Sequence, residues 1–189
     1  MAVRTYRSAP GGARRSVFVR GLAAALALAA ACLASNANAG AMSAGMRAYQ
    51  RHNYVLASQL LLAEAERGSP TAQTYLGYMY QYGVGVPRNY EVSVSWLNQA
   101  AQQGEPTAQF LLGLLFDKGY GVPMDWVQAE VWLSLAAAHA PERQRDYWTR
   151  VRDAVAQKLT LDQIAEAQRR AFEWAPIVVR VGPGISARY

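Results

Sequence analysis

The sequence of 189 residues is poor in three residue types that many functional sites require. It contains one cysteine and two histidines, and only 17% of its residues are charged. A single cysteine excludes a disulfide framework and any cysteine-rich zinc site. Low charge combined with 52% apolar residues excludes a disordered chain. The apolar run at 22–34 has 13 residues, fewer than the ~20 that a helix needs to cross a bilayer.

The formal net charge of +6 is unevenly distributed. Residues 1–39 contain five arginines and no acidic residue, which leaves 14 basic and 13 acidic residues in 40–189. The body of the chain is therefore almost neutral. Its most basic part, 142–189, has nine basic and six acidic residues interspersed on helices, which favours a solvated face over a stripe that binds phosphate backbones. We expect no nucleic-acid partner.

The first 39 residues have the order of a secretory signal peptide. Arginines come first, the apolar run Leu22–Ala34 follows, and Ala37-Asn38-Ala39 supplies the small residues that signal peptidase accepts. We predict cleavage between Ala39 and Gly40. The mature protein is then exported, in the periplasm, without cysteine and without stable membrane insertion.

Two features of this segment leave the export route open. Arg14-Arg15 is followed by Ser and two apolar residues, which loosely fits a twin-arginine signal as well as a Sec signal. Cys32 follows three alanines, which faintly resembles a lipoprotein cleavage box, although such a box usually has leucine where Ala29 stands.

The body of the chain repeats with a period of 36 residues. When 61–96 is aligned with 97–132 without gaps, 14 of 36 positions are identical. In each copy, a proline begins the first helix and a glycine ends it. A turn follows, and the second helix begins at Asn89 in the first copy and at Asp125 in the second. A repeat of this length predicts an all-α solenoid.

A set of glycines and tryptophans recurs in both copies and is expected to be structural. Gly77 and Gly113 fall inside helices, where glycine costs ~1 kcal/mol, so we expect another helix to approach there. The side chain that approaches is expected to be the ring of Trp96 or Trp132. The complete structural set is Gly77, Gly83, Gly85, Trp96, Gly113, Gly119, Gly121 and Trp132.

The repeated residues resemble the Sel1-like repeat, a relative of the tetratricopeptide repeat. The resemblance rests in the first copy on Ala72-Gln73, Leu76-Gly77, Tyr80, Gly83-Val84-Gly85-Val86, Asn89 and Trp96. It recurs in the second copy at Ala108-Gln109, Leu112-Gly113, Gly119-Tyr120-Gly121-Val122 and Trp132. It implies a right-handed α/α solenoid whose first helices line a concave face, and a scaffold that binds other proteins.

Four segments follow from these patterns. They are a signal peptide at 1–39, a Sel1-like solenoid at 40–141, a pair of C-terminal capping helices at 142–175 and an extended tail at 176–189. Thr160 and Gln163 form a predicted capping box at the start of the last helix. The capping helices are expected to cover the apolar side that the last repeat would otherwise expose.

The residues that could support catalysis are sparse and scattered. His52 and His139 have no second ligand at metal-binding spacing, so we expect no metal. The glycine pairs Gly83/Gly85 and Gly119/Gly121 follow helices, whereas nucleotide-binding loops follow strands. We therefore expect no cofactor, no catalytic residues and no enzyme.

Positions of the first helices that fall off the packing pattern are the candidates for binding a protein or peptide. Tyrosine suits such a role because it offers both an apolar ring and a hydroxyl. The candidates are Tyr75, Tyr78, Tyr82, Phe110, Leu114 and Lys118, with Thr71, Thr107 and Leu111 beside them. The alternative is that these rings simply pack between repeats.

The leading functional hypothesis is a non-catalytic scaffold or adaptor that binds a protein or peptide in the cell envelope through the concave face. One alternative is a structural subunit of an envelope complex that uses the C-terminal helices or the tail. The other is a cell-wall-related hydrolase, which requires clustered acids or a serine–histidine pair that the sequence does not display.

Overall fold

The computed structural model describes residues 44–176, and all regular structure in this range is helical. The predicted signal peptide, its cleavage site and most of the tail lie outside the described residues and stay predictions. The helices are α1 (44–50), α2 (Tyr54–Glu66), α3 (Pro70–Tyr82), α4 (Tyr90–Gln102), α5 (Pro106–Lys118), α6 (Trp126–Ala138), α7 (Glu142–Ala156) and α8 (Leu161–Glu173).

The helix boundaries follow the predicted signals. The side chains of Asn89 and Asp125 each accept a hydrogen bond from a backbone N–H in the first turn of α4 and α6. Gly83 and Gly119 end α3 and α5 in the left-handed conformation, at φ 70° and 68°. Both hydrogen bonds of the Thr160–Gln163 capping box are present at the start of α8: each side chain accepts from the backbone N–H of the other residue.

Successive helices pack against each other along the chain. α3 packs against α4 and α5 against α6, while α2–α3 and α4–α5 contacts join one pair to the next. The core forms two clusters, one around Leu61, Leu76 and Met79 and a larger one that includes Leu112 and Leu133. This arrangement of stacked pairs confirms the all-α repeat fold.

The mid-helix glycines lie where two helices cross, but the predicted partner is wrong. A Cβ atom at Gly77 would lie 2.4 Å from Leu97 Cγ, and one at Gly113 would lie 2.7 Å from Leu133 Cγ. Leucine, the residue after each tryptophan, therefore fills the crossing. Consecutive helical residues point about 100° apart, so Trp132 is directed elsewhere, into an edge-to-face contact with Trp174.

The recurring glutamine of each repeat bonds one helix pair to the preceding one. Gln73 Nε2 donates to the carbonyl oxygen of Ala65 at 3.0 Å, and Gln109 Nε2 donates to that of Ala101 at 3.2 Å. Both glutamines are buried, so each bond satisfies a polar group that would be costly to leave alone. The identity of this residue in both copies is explained by this bond.

The turn between the two helices of a repeat packs against the preceding pair. A Cβ atom at Gly85 would lie 2.4 Å from the backbone carbon of Tyr54, and one at Gly121 would lie 2.5 Å from that of Tyr90. Tyr54 and Tyr90 begin α2 and α4. Glycine is required here both by the positive φ of 72° and by the approach of another backbone.

The two predicted C-terminal helices are both present. α7 and α8 both pack against α6. Trp148 and Val155 of α7 and Ala167 of α8 are buried there. The helices thus cover the last repeat, as expected.

Candidate functional site

The face formed by α1, α3 and α5, which we call the first-helix face, contains a cavity of about 410 Å³. Its lining combines aromatic rings, hydroxyl groups, one leucine and one carboxylate. The lining residues are Tyr49, Thr71, Thr74, Tyr75, Tyr78, Glu105, Thr107 and Leu111.

Sequence reasoning identified part of this lining. Tyr75 and Tyr78 were predicted to bind a partner, and Thr71, Thr107 and Leu111 were placed beside them; all five line the cavity.

Three lining residues were missed. Tyr49 precedes the repeats, and Thr74 is buried and donates to the carbonyl oxygen of Pro70 at 2.8 Å. Glu105 is the N-cap of α5. The period of 36 residues places Glu105 where the first repeat has Ser69, and that exchange of serine for glutamate is the signal that could have found it.

The tyrosines contact each other as well as the cavity. The rings of Tyr49 and Tyr75 meet edge to face with centroids 5.2 Å apart, and those of Tyr78 and Tyr82 are 4.6 Å apart. Burial and the neighbouring hydroxyl of Tyr78 raise the pKa of Tyr49 above its ordinary value, so its hydroxyl stays protonated near neutral pH. The rings both pack between helices and line the cavity.

The remaining candidates lie away from the cavity. Tyr82 is 54% exposed, Leu114 is half-buried against the larger core cluster, and Lys118 is exposed. Lys118 Nζ pairs with a carboxylate oxygen of Asp117 at 2.9 Å, and this raises the pKa of Lys118.

Phe110 is not available to a partner, which corrects its prediction as a binding residue. Only 6% of Phe110 is exposed, and its ring stacks on that of Trp148 with centroids 4.7 Å apart and planes 9° apart. α7 supplies Trp148 and also Tyr147, whose ring is 5.9 Å from Phe110. Helix α7 therefore covers this part of α5.

Glu105 supplies the charge of the cavity. Its Oε2 accepts from the backbone N–H of Ala108 at 2.6 Å, and it shares the single hydroxyl hydrogen of Thr74, at 3.3 Å, with the carbonyl oxygen of Pro70. The first bond caps α5, and the second joins α3 to α5. Among the described residues that line the cavity, none is a lysine, arginine or histidine.

Two buried carboxyls lie outside the cavity and have opposite pKa shifts. Burial alone would raise the pKa of Asp117, but hydrogen bonds from Lys158 and Lys118 outweigh it and lower that pKa. Burial raises the pKa of Glu130, which accepts one bond from Ser134 at 3.1 Å. Both carboxyls contact or face the C-terminal unit, which consists of α7, α8 and their connection. We therefore expect them to affect the stability of the fold more than binding.

The histidines do not form a catalytic or metal-binding group in the described range. His52 Nδ1 shares a hydrogen bond with the hydroxyl of Tyr54 at 2.6 Å, and His139 Nδ1 bonds to the carbonyl oxygen of Leu135 at 3.1 Å. Within residues 44–176, no three acidic, histidine or cysteine side chains come together in a way that could hold a metal ion.

No helix between residues 44 and 176 is both long and apolar enough to cross a membrane.

Comparison with known proteins supports the repeat assignment. The model of the Sel1 repeat family matches residues 70–105 and 106–140. The antigen c5321 of uropathogenic Escherichia coli, whose crystal structure displays an SLR fold, is similar with 26% identity and a TM-score of 0.66. The similarity covers 72% of this chain and 29% of that chain, so the chain corresponds to less than a third of its length.

A Sel1 repeat protein from Oxalobacter formigenes is also similar. It is 36% identical over 47% of this chain and 25% of that chain, with a TM-score of 0.45. No match was found among curated proteins.

Proposed function

Because the chain contains two Sel1 repeats, and Sel1-repeat proteins are in general scaffolds for protein–protein interaction, we propose that it is a non-catalytic scaffold or adaptor. It binds a protein or peptide through the first-helix face. We further propose that it acts in the cell envelope after export, with the features of residues 1–39 as the support for that location.

The observation that carries this proposal is the cavity on the first-helix face. Its volume of about 410 Å³ lies in the range of ligand-binding pockets, and it joins apolar rings to a few polar groups. Tyrosine rings of this kind supply large contact areas and fixed hydrogen-bonding groups in protein interfaces. A side chain or short segment of a partner fits such a site.

The direct test is affinity capture from an envelope extract with the purified protein and the double variant Tyr75→Ala/Tyr78→Ala. We expect the variant to lose the captured partner, because both rings line the cavity. Tyr120→Ala is the matched control, since Tyr120 is 46% exposed in a turn and stacks on Tyr90 away from the cavity. Equal capture by the double variant and the wild type would exclude the first-helix face.

A second candidate function, a structural subunit of an envelope complex, is favoured by the outer side of α8. Leu161 is 84% exposed and Phe172 is 91% exposed. They lie 11 residues apart and therefore on one side of the helix. The substitution Phe172→Ser, or deletion of residues 176–189, would abolish assembly if this function holds and would leave capture through the first-helix face intact.

A further inference from the structure

The proposed function does not specify the chemistry of the partner. Resting on that function, we propose that the cavity on the first-helix face accepts a basic side chain, lysine or arginine, of the bound peptide. Glu105 is the counter-ion, and the rings of Tyr49, Tyr75 and Tyr78 form the walls.

Glu105 retains hydrogen-bonding capacity that the fold does not use. Both of its bonds within the described residues, from Ala108 and Thr74, go to Oε2. A carboxylate has two oxygens with about four lone-pair sites, so Oε1 is left to accept from a ligand. An ammonium or guanidinium group forms its strongest hydrogen bonds to such an oxygen.

The capping role of Glu105 does not explain why a charge stands at this position. At the equivalent position of the first repeat, Ser69 caps α3 with a neutral hydroxyl that accepts from Ala72 N at 3.4 Å. A serine would suffice for α5 in the same way. The carboxylate therefore adds a negative charge that the helix terminus does not require.

The electrostatic balance of the cavity favours a cation. The N-terminus of α5 carries a partial positive charge of roughly half an elementary charge, which offsets part of the carboxylate. The N-terminus of α3 also borders the cavity at Thr71, and the hydroxyl of Ser69 accepts a hydrogen bond from the Ala72 N–H there. With no basic side chain in the lining, the full charge of Glu105 exceeds the partial charge of the helix that it caps.

The aromatic walls suit a cation as well. A ring face attracts an ammonium or guanidinium group within ~6 Å of its centroid. The chain already uses this contact elsewhere: Arg88 lies 5.5 Å from the ring of Tyr90, and Lys158 Nζ lies 5.6 Å from that of Trp126. The tyrosines of the cavity have no such cation among the lining residues.

The test measures retention of the purified, fluorescently labelled protein on five bead-bound peptide pools. Each pool has randomised flanks and one fixed central residue: lysine, arginine, citrulline, norleucine or glutamate. Citrulline matches arginine in shape without its charge, and norleucine matches lysine. We expect about tenfold greater retention on the two basic pools than on their neutral matches.

Variants assign this preference to Glu105. Glu105→Gln keeps the shape of the side chain, and Glu105→Ser reproduces the cap of the first repeat, so both should unfold near the wild-type temperature. Each is expected to reduce retention on the basic pools to the level of the neutral ones. Glu91→Gln, an exposed acid on α4, should leave the preference unchanged.

Equal retention on the arginine and citrulline pools, a preference for the glutamate pool, or no retention on any pool would overturn the basic-residue inference. If the wild type bound all pools equally and Tyr75→Ala/Tyr78→Ala abolished that binding, only this inference would fail. If the double variant bound as well as the wild type, the proposed function itself would fail.

Discussion

The two central helix pairs, α3–α4 and α5–α6, differ from the C-terminal pair, α7–α8, in how the second helix packs relative to the first. α4 packs along α3 and α6 along α5, whereas α8 packs chiefly on α6. The period itself continues through the end of the body, since Pro70, Pro106 and Glu142 begin successive first helices 36 residues apart. The C-terminal unit therefore keeps the spacing of a repeat and loses its internal packing.

The residues at equivalent positions explain the difference. Thr149 stands where the central pairs have Gly77 and Gly113. Arg169 stands at the position of Leu133, so both halves of the crossing contact have changed.

The turn has changed as well, because Val155 and Gln157 replace the glycines of the central turns. Three glycine positions and one leucine thus distinguish the pairs whose second helix folds back on the first from the C-terminal pair.

The largest effect is expected from Gly121→Ala, in the turn of the second repeat. The new Cβ would lie 2.5 Å from the backbone of Tyr90 at a φ of 72°, so the turn and the start of α4 must separate and the backbone is strained. We expect the free energy of unfolding to fall by about 3 kcal/mol, measured by denaturant titration.

Gly104→Ala is the matched control for this variant. Gly104 also has a positive φ, of 87°, but its nearest neighbours would lie at ordinary distances of 3.5 and 3.6 Å. It should cost about 1 kcal/mol from backbone strain alone. Equal losses for the two variants would show that the turn does not need the close backbone approach.

A smaller loss, about 2 kcal/mol, is expected from Gly77→Ala, although alanine favours the helix. The new Cβ would lie 2.4 Å from Leu97 Cγ, so the leucine or the helix must move. Double-mutant analysis with Leu97→Ala should show a coupling of at least 1 kcal/mol, because the smaller side chain removes the clash. Additive losses would place the strain elsewhere.

Asp117→Asn is expected to cost about 1 kcal/mol at neutral pH, because Lys158 of the α7–α8 connection loses its ionic partner on α5. The folded-state pKa of Asp117 is lowered, so its stabilising contribution is present above the unfolded-state value near 4 and is lost as the pH falls through the folded-state value. Unfolding measured from pH 7 to pH 2 should show the wild-type advantage disappearing.

Asp153→Asn is the control for Asp117→Asn. Asp153 pairs with Arg152 at 2.6 Å, but its side chain is 54% exposed, so its removal should cost less than about 0.5 kcal/mol. A cost as large as that of Asp117→Asn would mean that burial does not strengthen the Asp117 pair.

The smallest effect, and one of opposite sign, is expected from Glu130→Gln. Burial raises the folded-state pKa of Glu130, so its contribution to stability is greatest below the unfolded-state value and is lost as the pH rises through the folded-state value. Glutamine carries no charge to bury, and it should raise the free energy of unfolding at pH 7 by a few tenths of a kcal/mol. The gain should vanish towards pH 4; a loss at pH 7 would contradict it.

Much of the fold could be predicted from local signals. The helix starts at Asn89 and Asp125, the stops at Gly83 and Gly119 and the capping box at Thr160 depend on neighbouring residues, and the structure confirms each one.

The parts that sequence reasoning did not predict depend on contacts between distant residues. The choice of Leu97 over Trp96 at the crossing is set by helix rotation. Phe110 is covered by Trp148, which lies 38 residues further along the chain. The cavity combines a tyrosine that precedes the repeats, Tyr49, with a capping residue of α5, Glu105.

The sequence by itself determined the class of fold, through the 36-residue period, and the helix boundaries, through the capping residues and the left-handed glycines Gly83 and Gly119, because backbone conformation and capping are local properties. Only the tertiary structure decided which rings stay accessible, which carboxylate faces the cavity and where α8 packs. Those outcomes depend on how closely one helix approaches another, and that distance is set by side chains from several repeats at once.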